Sequence, residues 1–196
     1  GNGAAGIGGG SYKDGNDINI AGGKVTATGG DYGAGIGGGN QGNGKNITIT
    51  GGTVKAAGGE RGAGIGGGSW GSGSNVTVSG AAQVTAIAGK GDRWDGAGAT
   101  IGSGSGGSTR NPDGTLTPGS GQEIQANISG LITGWIHHII YDENGKKVKE
   151  WWEYGHLQPA PDTPNAPAEE TNEVSLGTPV LHVETLEGDP LPFDAR

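Results

Sequence analysis

This chain contains no cysteine, no methionine and only one phenylalanine. Without cysteine there is no disulfide framework and no thiolate metal site. Hydrophobic residues make up 31% of the 196 positions. They nowhere form a long run, which excludes a membrane-spanning helix and a broad, rounded core. Positive charge is also scarce. Residues 105–196 carry five Lys/Arg against fourteen Asp/Glu, while residues 1–104 are close to balance with seven against six. A net charge of −8 leaves no basic footprint for phosphates and argues against nucleic acid as a partner. The chain opens inside a repeat unit and reads as a fragment or processed product of something longer. The lack of a leader or membrane segment is therefore uninformative.

What the chain has instead is glycine, 47 residues of it, without collagen's three-residue period. Much of it sits in a recurring block. Ala5 to Gly10 (AGIGGG) returns as Ala34 to Gly39 and Ala63 to Gly68, each 29 residues on, and a worn copy at Ala99 to Gly104 follows after 36. A fixed period of this size means stacked structural units. Within each unit β-branched residues alternate and recur at the same place, which predicts short strands. Gly-Gly turns at 22–23 and 51–52 separate them. Stacked in register, these strands describe an all-β, right-handed parallel β-helix of about 29 residues per coil, adjacent coils lying about 4.8 Å apart. The inward ladders are Ile7/Ile36/Ile65/Ile101, Ile18/Ile47/Val76, Ile20/Ile49/Val78 and Val25/Val54/Val84. Asp17, Asn46 and Asn75 form an Asx column just before a strand, suited to satisfying turn backbone groups. The GIGGG run predicts positive φ or close backbone approach. It does not match a nucleotide-binding fingerprint, because no helix follows it.

On Gly62-Ala63-Gly64-Ile65-Gly66-Gly67-Gly68 and Asn46-Ile47-Thr48-Ile49-Thr50-Gly51-Gly52-Thr53-Val54, the chain resembles the Gly-rich right-handed β-helix repeats of bacterial cell-surface proteins of the gut Firmicutes type. Proteins of this kind are similar to secreted adhesins and to calcium-assisted carbohydrate-binding β-helices. The resemblance covers roughly residues 1–104. It implies an extracellular location and transfers no binding residue.

Beyond residue 104 the pattern degrades. Residues 105–122 read as a loop and Ile124 to Ile132 as a final irregular coil, so the β-helix spans 1–134. Residues 135–157 predict a β-hairpin cap turning at Asn144-Gly145, the strongest short-range hairpin signal. Such a turn sets Trp135 against Tyr154, His137 against Trp152 and Tyr141 against Val148. The face carrying Trp135, His137, Ile139 and Trp152 is expected to pack on the end of the solenoid. Residues 158–196 read as an acidic Pro-rich linker and extended tail, with one strand at Val180 to Glu184.

Three groups of side chains carry chemistry. Tyr12, Gln41 and Trp70 share one turn position, where a ladder of flat groups could stack sugar rings; the competing reading is that they cover the glycine backbone beneath. Asp31 and Glu60 form an acidic column with Tyr32 and Arg61 beside it, and Asp95 falls close by after the insert carrying Asp92, Arg93 and Trp94. Carboxylates stacked about 5 Å apart repel. Solvation as turn charge is preferred over a Ca²⁺ site. His137 and His138 point to opposite faces of one strand, so stacking of His137 on Trp152 is preferred to a zinc site. No acid pair marks a catalytic centre on the predicted strands, so the chain is expected not to be an enzyme. Adhesion or glycan binding is the leading expectation, with Tyr12, Trp70, Trp94, Asp31 and Glu60 as contact residues and a glycan or host cell-surface ligand as partner. No cofactor beyond Ca²⁺ enters this reading. A stalk or filament subunit assembling through coil ends and tail is the alternative, and a polysaccharide-degrading enzyme comes third.

Overall fold

A computed structural model describes residues 2–92, 95–107, 109–112, 115–117 and 119–157. Trp94 and the tail at 158–196, with its expected strand, lie outside the described residues. Among the described residues every regular element is a strand: β1 Ile7–Gly8, β2 Gly15–Ile20, β3 Lys24–Thr28, β4 Ile36–Gly37, β5 Gly44–Ile49, β6 Thr53–Ala57, β7 Ile65–Gly66, β8 Gly73–Val78, β9 Gln83–Ile87, β10 Ile101–Gly102, β11 Thr109–Arg110, β12 Leu116–Thr117, β13 Trp135–Tyr141 and β14 Lys147–Tyr154.

The strands stack as a parallel β-helix with three sheets. The first runs β1-β4-β7-β10, the second β2-β5-β8 and the third β3-β6-β9-β13-β14. The register is the one the 29-residue period dictates. Ile36 pairs with Ile65, Ile47 with Val76 and Val54 with Val84. These inward ladders form one continuous core, with Ile36, Ile47, Ile49, Ile65 and Ile101 fully buried. Ile7, Ile18 and Val25 of the first coil pack on that core but are only partly buried.

The need for glycine is clearest directly after each ladder isoleucine of the first sheet. Gly37 has φ +134°, and a Cβ there would meet the Gly66 carbonyl oxygen of the next coil at 2.0 Å. Both conditions admit glycine alone.

The Asx column sits inside the strands rather than before them. Asp17, Asn46 and Asn75 adopt φ of 55°, 55° and 52°, and the pairing register skips them. Their side chains bond one another: Asn46 Nδ2 donates to Asp17 Oδ1 at 2.9 Å, and Asn75 Nδ2 to Asn46 Oδ1 at 3.1 Å. The expected bonding to turn backbone belongs instead to the column that starts at Asp14. There the Asn43 N–H donates to Asp14 Oδ1, and the Ser72 N–H donates to Asn43 Oδ1.

The far end is closed by two devices. Residues 124–131 run as a further pass along the second sheet, bridging Thr77 to Asn127 and Gly80 to Leu131 in parallel. The hairpin β13–β14 joins the third sheet, with β13 parallel to β9. The hairpin therefore does not lay its Trp135/His137 face over the coil end. Pairing Ile136 with Val84 and His138 with Ala86 turns the opposite face inward, because Val84 and Ala86 already point into the core. Trp135 pairs with Tyr154 and His137 with Trp152, as expected, but Tyr141 sits opposite Lys147. The register shifts between Ile140 and Tyr141, where Asp142 Oδ1 accepts the Asn144 and Lys146 N–H groups and widens the turn.

Candidate functional site

Turns give this fold its outward chemistry, and three of them repeat one geometry. Tyr12, Gln41 and Trp70 hold φ of 62°, 60° and 64°. Each backbone N–H donates to the next coil: Tyr12 to Asn40 O, Gln41 to Ser69 O and Trp70 to Ser105 O. Left-handed backbone at a non-glycine residue persists only where the surroundings fix it, and this ladder supplies the constraint. Tyr12 remains 66% exposed and Trp70 62%. The six-membered ring of Trp70 lies over Gly106 and Gly107, where added Cβ atoms would meet Trp70 ring carbons at 3.0 and 2.9 Å. The ring covers glycine backbone on one side, as the competing reading expected, and presents the rest to solvent.

The acidic column separates into exposed and buried parts. Asp31 and Glu60 are exposed on successive turns. Asp95 is only 6% exposed and is held by Arg61, whose Nη1 lies 2.8 Å from Asp95 Oδ2. Arg61 Nη2 binds Asp92 Oδ2, and the guanidinium sits 5.4 Å above the Tyr32 ring. Burial alone would lower the pKa of Arg61, but the Asp92 hydrogen bond and the charges of Asp95 and Asp92 outweigh it and raise it. An arginine thus supplies the cation that relieves the carboxylate repulsion at this end of the column. Among the described residues no three His, Cys, Asp or Glu side chains are grouped to hold a metal ion.

A second polar chain lies inside the far end of the solenoid. Glu123 accepts the Thr100 N–H at 2.6 Å, the Ile101 N–H at 3.1 Å and the Thr100 hydroxyl at 2.8 Å. Thr100 Oγ1 in turn contacts His138 Nδ1 at 2.7 Å, and His138 Nε2 faces Glu153 at 3.3 Å. His138 stacks on Trp151 with centroids 4.4 Å apart. On the outer face His137 stacks on Trp152 at 3.8 Å, and His137 Nε2 meets Glu150 Oε1 at 2.6 Å. Thr100 and His138 are fully buried, so this chain is out of a ligand's reach and fastens the hairpin to the last coil.

Where the repeat lengthens from 29 to 36 residues, the surface gains a groove of about 860 Å³. Glu60, Lys90 and Asp92 line it from the solenoid turns, and Tyr141, Glu143 and Asn144 line it from the hairpin tip. A smaller hollow of about 390 Å³ adjoins it and reaches Asp95. Of the expected contact residues that the structure describes, Tyr12, Trp70, Asp31 and Glu60, Glu60 alone lines the groove. Asp31 lies one coil away, and Tyr12 and Trp70 belong to the other turn column. Sequence reasoning did not name Lys90, Tyr141, Glu143 and Asn144 as contacts. The break in period was the available signal.

Two segments, residues 18–40 and 47–69, match the family model of the Beta helix repeat. No curated protein and no solved structure matches the chain. The stacked parallel sheets and this match define the molecule as a parallel β-helix repeat protein.

Proposed function

We propose that this solenoid is a non-catalytic, extracellular segment that binds a glycan or cell-surface ligand through its exposed turn columns. The observation that carries the reading is the column Tyr12–Gln41–Trp70, whose flat side chains are held outward at one turn position in successive coils. A sugar ring stacks on an aromatic face through its own apolar C–H face, and a side chain already fixed by its backbone loses little entropy on binding. Origin in a bacterial adhesin follows from the resemblance of the repeats and belongs to the same proposal, with Ca²⁺ as the one ion to test.

A binding screen against glycans and polysaccharides, run with Ca²⁺ and again with EDTA, tests it. Selective binding that the double substitution Tyr12→Ala, Trp70→Ala abolishes without unfolding the protein supports the reading. A blank screen in both buffers overturns it. Loss of binding in EDTA alone adds a metal.

A stalk-like structural role is the second reading. It is favoured by the in-register stacking of successive coils, since strands at a coil end can pair with another chain. Sedimentation across a range of concentrations separates the two, as a monomer at all concentrations counts against assembly through that end.

A further inference from the structure

Repetition produces columns, whereas a site for one particular ligand needs the repetition to fail. It fails at the groove that Lys90, Gly91 and Asp92 of the lengthened unit share with the tip of the β13–β14 hairpin. We infer that this groove is a second binding site, distinct from the Tyr12–Trp70 column, and that it takes a short saccharide carrying an amino group.

Its volume of about 860 Å³ falls in the range of small-ligand sites, roughly 300–1,000 Å³. Tyr141 gives the groove one aromatic surface, the feature that receives the apolar face of a sugar ring. Lys90, Glu143 and Asn144 bring hydrogen-bonding groups from two separate elements. Among the described residues the side chains of Glu60, Lys90 and Glu143 make no ion pair with one another or with other groups. Their hydrogen-bonding capacity is available to a ligand. Arg61 pairs with both Asp92 and Asp95 and offsets one of their two negative charges, so the remaining one adds to Glu60 and Glu143 against one Lys90. A negative groove on a chain of net charge −8 repels acidic saccharides and attracts an ammonium group. The adjoining hollow adds an acceptor: Asp95 lines it, is more than nine-tenths buried, and its Oδ1 has no hydrogen-bond partner among the described residues.

Titration calorimetry with a glucosamine oligosaccharide, its N-acetylated form and an oligogalacturonate tests the assignment. Binding should rank in that order. Tyr141→Ala should weaken it on the order of tenfold, the equivalent of a lost aromatic contact. Glu60→Gln, on an exposed turn, should leave the fold intact and pull the preference for the amino form toward unity. Lys24→Ala, exposed on the first coil, should leave binding unchanged. Absence of binding by all three probes, or a preference for the acidic one, overturns the proposal. If Trp70→Ala abolishes binding while Tyr141→Ala and Glu60→Gln do not, the saccharide lies on the turn column; the groove assignment then falls and the glycan-binding reading stands.

Discussion

Thr100 Oγ1 lies 2.7 Å from His138 Nδ1 and 2.8 Å from a Glu123 carboxylate oxygen. The threonine has one proton to give. The carboxylate is an acceptor, so the proton goes to Glu123 and Thr100 must accept from the imidazole. His138 therefore carries hydrogen on Nδ1. Thr100→Val keeps the shape and leaves the buried His138 Nδ1 donor unpaired, while Glu123 keeps the Thr100 and Ile101 N–H groups. The expected loss is about 1–3 kcal/mol, read from urea unfolding. Nitrogen chemical shifts of the His138 ring in the parent protein check the proton's position independently.

Glycine tolerance should divide sharply by position. Gly37→Ala forces a side chain into φ +134° and against the Gly66 carbonyl. A loss of about 1–3 kcal/mol is expected from the backbone conformation alone, and the clash adds to it. A Cβ at Gly10 meets nothing within 4 Å, so Gly10→Ala should be neutral or slightly stabilising. Thermal melts of the two variants side by side measure the difference. Equal melting temperatures would contradict the argument.

Arg61→Gln removes the cation from Asp95 while leaving the carboxylate buried. Breaking such a pair from one side costs roughly 3–5 kcal/mol in fully buried cases. Arg61 keeps some solvent exposure, so the lower end is expected. Adding Asp95→Asn should restore part of the loss. A double-mutant cycle by denaturant unfolding gives the coupling directly.

The hairpin should loosen in acid. Lys147 and His137 bond the Glu150 carboxylate and hold its pKa below the ordinary value. A lowered folded-state pKa contributes stability above the unfolded value, about 4.3. That stability is lost as the pH falls through the lower folded value. Asp14 behaves alike, because the Asn43 backbone N–H holds its carboxyl down. Both groups are exposed, so the contribution is small and weakened by salt. Tryptophan fluorescence of the hairpin followed from pH 6 to about pH 2, in low and high salt, reads the change. Glu150→Gln should flatten the acid limb, and a limb unchanged in that variant would contradict the assignment.

The solenoid was legible because its period is a property of the sequence itself. Ile36, Ile65 and Ile101 must stack if the coils are in register, and they do. The inward face of the hairpin was not legible. Ile136, His138 and Ile140 alternate with Trp135, His137 and Ile139, and both sets are apolar enough to be buried. The choice is made by β9, whose Val84 and Ala86 fix which side faces the core. The Glu123–Thr100–His138 chain joins three segments that no spacing rule connects. The turn at Asp142 turned on one carboxylate capturing two backbone N–H groups, which a two-residue Asn-Gly reading overlooks. The exposed turn residues Tyr12, Trp70, Asp31 and Glu60 could be located from the repeat. The groove could not, because it exists only where the repeat is interrupted.

Docking of β13 on β9 has a consequence for how such a chain can change. The hairpin and the lengthened turn are anchored to the last full coils, while Tyr12 belongs to the first. A further 29-residue coil introduced ahead of β6 would extend the stack by about 4.8 Å. Every residue bordering the groove would keep its neighbours. Coil number and groove lining are therefore separately adjustable in this molecule: one grows by duplication, and the other is altered by point substitution at Glu60, Lys90 or Tyr141.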